Sequence, residues 1–137
     1  MKSRTFTIDE ANRTLPLVKR IATDVARAYT ELSDRAERYK ELRANEDRSD
    51  GTEEALNEMK RSMGALTAEI DSFVAELMEI GCEMKDLSRG TVDFPSVLDD
   101  RPIFLCWQPG EDRVEFWHEV TDGFTGRRPL PVAVTEE

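Results

Sequence analysis

The stretch LNEMKRSMGALTAEIDSFVAELMEIG, residues 56–81, decides the fold. Its apolar side chains, Leu56, Met59, Met63, Leu66, Ile70, Phe73, Leu77 and Ile80, are spaced 3-4-3-4-3-4-3. That is the period of a long helix with one buried seam. Gly81 follows the last seam residue, where a left-handed C-cap favours glycine. Thr52 reads as the N-cap, with Glu53 and Glu54 placed to meet the positive end of the helix dipole.

Upstream of this helix, residues 45–51 hold no apolar side chain and end in Asp50-Gly51, a turn signal. Before that break lies a second seam. Leu15, Ala22, Tyr29 and Ala36 alternate with Val18, Val25, Leu32 and Tyr39 at spacings of three and four. Thr7 and Glu10 read as a capping box with Phe6 as half of a hydrophobic staple. A short helix is expected over 8–13, with Pro16 interrupting or restarting it. Two helices of close to 30 residues, about 45 Å long at ~1.5 Å per residue, should form an antiparallel coiled-coil hairpin. Ile21, Ala28 and Leu42 add a flanking row, which could pair two hairpins into a homodimer.

Beyond Gly81 the pattern changes. Five of the seven glycines and five of the six prolines lie at or after this point. Residues 101–107 and 113–119 are strand-like runs joined by Gln108-Pro109-Gly110-Glu111-Asp112, an antiparallel β-hairpin. Alternation puts Phe104 and Cys106 on one face of the first strand, and His118 and Trp117 on opposite faces of the second. Val92-Asp93-Phe94-Pro95 adds a short strand ending at the proline. Residues 123–130 read as a glycine-punctuated loop and 131–137 as a loose tail. The whole is one α+β domain over 1–137: a helical hairpin over 7–82, a β-rich cap over 83–130 and the tail.

Several of these residues carry a resemblance. Phe6-Thr7, Glu10-Ala11-Asn12 and Leu15-Pro16 open the match, followed by Lys85-Asp86-Leu87, Gly90 and Val92-Asp93-Phe94-Pro95. Leu105-Cys106-Trp107, Gly110-Glu111, Trp117-His118-Glu119, Gly123-Phe124 and Gly126-Arg127-Arg128-Pro129-Leu130 complete it. Together they make the chain resemble the domain of unknown function 2203 family, found in bacteria. The resemblance brings no activity, substrate or catalytic residue with it. Cys82 stands where that pattern usually has an aliphatic side chain, so it is not counted as shared chemistry.

Composition narrows the function. The 137 residues carry 29 acidic and 19 basic side chains, a net charge of −10. Residues 1–44 carry +3, 45–82 carry −7 and 83–137 carry −6. A generic nucleic-acid or anionic-membrane binder needs a dominant basic face, and only Arg13, Lys19, Arg20 and Arg27 offer a stripe of that kind. No apolar run is long enough to span a bilayer, and Met1–Phe6 lacks the apolar stretch of a secretory signal. With two cysteines and no disulfide framework, a cytoplasmic location is expected.

Candidate chemistry concentrates in the cap. His118 is the single histidine, which excludes ligand sets needing two. Asp93, Glu111, His118 and Glu119 are the candidate metal ligands, with Cys106 and Asp122 as further donors; such a set suits zinc, iron or manganese. A Cys106–His118 nucleophile–base pair depends on the strand register and lacks an evident orienting partner. Arg127 and Arg128 after a Gly-x-x-Gly loop could grip a small anionic ligand, with Trp107, Trp117, Phe116 and Phe124 as an apolar wall. Against this, one arginine could pair with a nearby acid while the tryptophans dock the cap onto the helices. Two function classes remain: a non-enzymatic module binding a protein partner or a second copy, and a small metal-dependent enzyme or metal- or anion-binding protein. Recognisable catalytic spacing is missing, so the first is favoured.

Overall fold

The computed structural model describes residues 4–46 and 49–130; the expected tail over 131–137 lies outside them. Two helices, α1 (Ile8–Ala44) and α2 (Asp50–Ile80), precede five strands. These are β1 (Glu83–Asp86), β2 (Thr91–Leu98), β3 (Arg101–Trp107), β4 (Phe116–Glu119) and β5 (Arg128–Pro129), paired antiparallel in the order β1-β2-β3-β4-β5. The architecture is α+β: a pair of helices packed on each other, followed by an antiparallel sheet.

Each of the eight seam residues of α2 is buried or half-buried. Arg35 of α1 hydrogen-bonds Ser62 of α2, as an antiparallel pair requires. On α1 the seam is fully buried as far as Val25 and half-buried at Tyr29, Leu32 and Tyr39, while Ala36 is exposed. The reason is what lies opposite. Leu15, Val18, Ile21 and Ala22 share one apolar cluster with Val92, Phe94, Leu105 and Trp117 of the sheet. Past Ala28, α1 has α2 as its neighbour and no sheet. Of the flanking row, Ile21 and Ala28 are therefore buried within the single chain, and Leu42, farther along α1, is half-buried.

Several boundaries differ from expectation. Pro16 does not interrupt α1, which is continuous from Ile8. The capping box forms, with Glu10 N–H on the Thr7 hydroxyl at 3.0 Å and Thr7 N–H on the Glu10 carboxylate at 2.9 Å. Together with buried Leu15 and Val18 on either side, it holds the helix through the lost amide. Helix α2 starts at Asp50 with Ser49 as its N-cap, and Thr52 is instead the third residue, its hydroxyl accepting from Ser49 N–H at 3.2 Å. Strand β2 runs through Pro95 to Leu98. Strand β1 pairs with β2 only over Thr91–Asp93, so Pro95 faces no sheet neighbour on that side and its missing donor costs no ladder bond. Phe6 N–H takes the Pro95 carbonyl at 2.8 Å instead, and the Phe6 ring meets Phe94 edge-on at 5.2 Å.

At the other end of the sheet, Arg113–Glu115 does not continue β4. Asn12 of α1 captures Val114 there, accepting from its N–H at 2.7 Å. Gly81 closes α2 in the left-handed conformation expected, with φ of 112°.

Candidate functional site

Strand alternation and register assemble the site. On the outer face of the sheet, turned away from the helices, Asp93 pairs with Cys106 across β2–β3, and Phe104 pairs with His118 across β3–β4. Asp93 and His118 therefore lie diagonally across β3, within reach of a carboxylate and an imidazole. His118 Nε2 stands 3.1 Å from both carboxylate oxygens of Asp93. Donor atoms of Asp93, Cys106 and His118 all lie within 4.8 Å of one another, and each residue is at most 3% exposed.

The proton inventory follows from the partners. His118 Nδ1 lies 2.8 Å from the Glu119 carbonyl oxygen, which can only accept, so Nδ1 carries a proton. Nε2 and the Asp93 carboxylate then share one proton between them. Burial pushes the Asp93 carboxyl up from its ordinary range, and His118 opposes that shift. Burial also pushes the Cys106 thiol up to about 11, helped by the Asp93 charge and opposed by Arg127. At neutral pH Cys106 is a thiol, which does not suit a free nucleophile. Cys82, buried elsewhere, is pushed up to about 12 by desolvation and is inert for the same reason.

Arg127 backs the cluster. Its Nε donates to Cys106 Sγ at 3.3 Å, and its Nη1 and Nη2 grip Glu111 at 2.8 and 2.7 Å. The guanidinium lies 4.2 Å from the centre of the Phe116 ring. The loop that brings Arg127 back over the sheet turns through Phe124–Gly126, where close approach dictates glycine. A Cβ on Gly126 would sit 2.6 Å from Asp122 Cβ.

A cavity of about 310 Å³ adjoins the cluster, lined by Asp93 and His118 together with Thr91, Phe104, Lys85, Asp86, Val120, Asp122 and Gly123. The Thr91 hydroxyl is buried there without a hydrogen-bond partner. A larger groove of about 580 Å³ runs between Arg4, the end of α2 and β2–β3; its walls are mostly apolar, and Cys82 on its lining is inert.

Of the expected metal ligands, Asp93 and His118 come together and Cys106 joins them. Glu111 is spent on Arg127, and Glu119 on an exposed ion pair with Arg101 at 2.7 Å. Asp122 lines the cavity. Among the expected ligand-binding residues, Trp107 and Trp117 sit in the inner-face core, docking the sheet on the helices, and do not line this cavity. Arg128 lies 5.1 Å from the Trp117 ring centre, away from Cys106. The side chain of Phe124 lies outside the described residues. Sequence reading missed Thr91 and Lys85. Alternation from Asp93 places Thr91 on the same face, but the start of β2 had no signal in the sequence strong enough to extend the strand back to it.

Fold and site define a small α+β protein with a buried Asp–Cys–His cluster on the outer face of its sheet. The chain belongs to the DUF2203 family of uncharacterized conserved proteins, whose family model matches residues 4–130. No curated protein and no solved structure matches it. Among the described residues no helix is long and apolar enough to cross a membrane.

Proposed function

We propose that this protein binds one divalent transition metal through Asp93, Cys106 and His118. The observation that carries the reading is the convergence of one carboxylate, one thiol and one imidazole, all buried, with donor atoms within 4.8 Å. Oxygen, sulfur and nitrogen donors of this kind suit zinc, and three protein donors leave a tetrahedral ion one further position. The surroundings support it. A carbonyl holds His118 Nδ1, leaving Nε2 for the metal, and Arg127 donates to the sulfur. Without a metal, burial of these groups costs solvation that one shared proton only partly offsets.

The interaction-module reading has less support, because Ile21 and Ala28 are already covered within the chain. Elemental analysis of untagged protein tests the metal reading. One equivalent of zinc, iron or manganese is expected, lost in His118→Ala while the far-ultraviolet circular dichroism is kept. Metal-free protein that also takes up none on dialysis against zinc overturns it.

A further inference from the structure

The cavity has features that the metal cluster does not require. It is lined by Asp93 and His118 and not by Cys106, so it meets the cluster on its Asp93–His118 side. The Thr91 hydroxyl is buried in its wall, 2% exposed as a residue and with no hydrogen-bond partner. An orphaned buried hydroxyl costs free energy unless something in the cavity completes it. The walls also carry charge of one dominant sign. Asp86 and Asp122 line the cavity beside Asp93. The Asp86 carboxylate is held below the usual range by the Ser88 hydroxyl and the Arg89 and Ser88 amides, and it also pairs with Arg89 at 3.7 Å, which leaves Asp122 as the main source of negative charge beside Asp93. Lys85, the lining cation, is paired with Glu83 at 2.9 Å and rests 4.8 Å from the Phe104 ring centre.

We infer that this cavity is a chamber in which a small uncharged or cationic Lewis base coordinates the metal on its open side, hydrogen-bonded by Thr91, and from which the acidic walls exclude anions. The inference rests on the metal reading above and adds the class of ligand. A volume of about 310 Å³ limits the ligand to a small molecule. Its size is near the lower end of ordinary ligand pockets, roughly 300–1,000 Å³. The donor atom occupies the position that water would otherwise hold on a three-coordinate protein site. Phe104 offers the ring of such a ligand an apolar surface.

Cobalt(II)-loaded full-length protein tests this directly, because its visible absorption responds to a change in the coordinated ligand. Imidazole, uncharged at pH 8, should shift the spectrum saturably with one equivalent of cobalt retained after gel filtration. Azide should need at least a tenfold higher concentration for the same fractional change. Asp122→Asn should narrow that gap by several-fold, and Thr91→Val should weaken imidazole by about threefold to tenfold while cobalt content stays at one equivalent. A cobalt-loaded protein whose spectrum neither probe alters overturns the chamber alone and leaves a closed metal site. Azide binding as readily as imidazole overturns the exclusion of anions. Failure to take up cobalt or zinc overturns the metal reading, and the chamber with it.

Discussion

On the inner face of the sheet, Val92, Phe94, Leu105 and Trp117 are buried against α1 and α2. One residue along on the same strands, Asp93, Cys106 and His118 are buried just as deeply on the outer face. The two faces have the same burial and opposite energetics. Each apolar side chain on the inner face gains on the order of 1.5–3 kcal/mol on leaving water. On the outer face a carboxylate and an imidazole lose hydration, and their mutual contact at best balances that loss. A sheet needs its inner face to fold. The outer cluster contributes little to folding, so its burial points to chemistry.

Cutting into the inner face should have the largest effect. Phe94→Ala should cost about 3–5 kcal/mol, since the ring is fully buried and meets Phe6 edge-on at 5.2 Å. Chemical denaturation checks it; a loss below about 1 kcal/mol would mean that the inner face is not the core. An equally deep change on the outer face should behave differently. Asp93→Asn should lower zinc affinity by about a hundredfold or more with a destabilisation of the metal-free protein of only about 1–3 kcal/mol. Competition against a chromophoric chelator and a denaturation curve measure the two effects separately.

The outer face should also respond to pH where the inner face does not. Burial pushes the Cys106 thiol up to about 11, so at neutral pH a metal binding there would have to displace its proton. It must also displace the proton shared by Asp93 and His118. Zinc affinity should therefore rise with pH between 6 and 8, by up to about a hundredfold per unit if both protons leave. Binding that is flat over that range would exclude both groups as ligands. The smallest effect is expected at Arg127. Arg127→Lys removes the planar fork that joins Cys106 to Glu111 and should weaken zinc by about tenfold. Unchanged affinity in Arg127→Lys would make the arginine a structural pair for Glu111 only.

Legibility in the sequence followed the same division. Periodicity located both helices and the α2 seam to the residue, because repeated apolar spacing averages over many residues, and cap residue types located Gly81 and the capping box at Thr7. It also separated Trp117 from His118 on β4. What it missed were features set by single contacts. Strand β2 was cut short at Pro95, since nothing in the sequence shows that β1 leaves that stretch without a neighbour. The turn from β2 to β3 is Asp99-Asp100, both with positive φ, of 51° and 64°. Asp-Asp is a weaker turn signal than Asn-Gly. Strand β1 is only four residues long, and its single apolar side chain, Met84, is too few to reveal alternation in the sequence.

The site was half legible. Asp93 and His118 were named as ligands, and Glu111 and Glu119 with them, because composition cannot distinguish an acid that faces a cluster from one that pairs with an arginine. That distinction needs register. Cys106 opposite Asp93, and His118 opposite Phe104, are facts of β2–β3–β4 pairing that no single strand contains.

X-ray absorption at the zinc edge of the loaded protein reads the proposed ligand set itself. One sulfur at about 2.3 Å and nitrogen or oxygen neighbours at about 2.0–2.2 Å are expected, the sulfur disappearing in Cys106→Ser. A spectrum with no sulfur neighbour, from protein holding one equivalent of zinc, would contradict that ligand set.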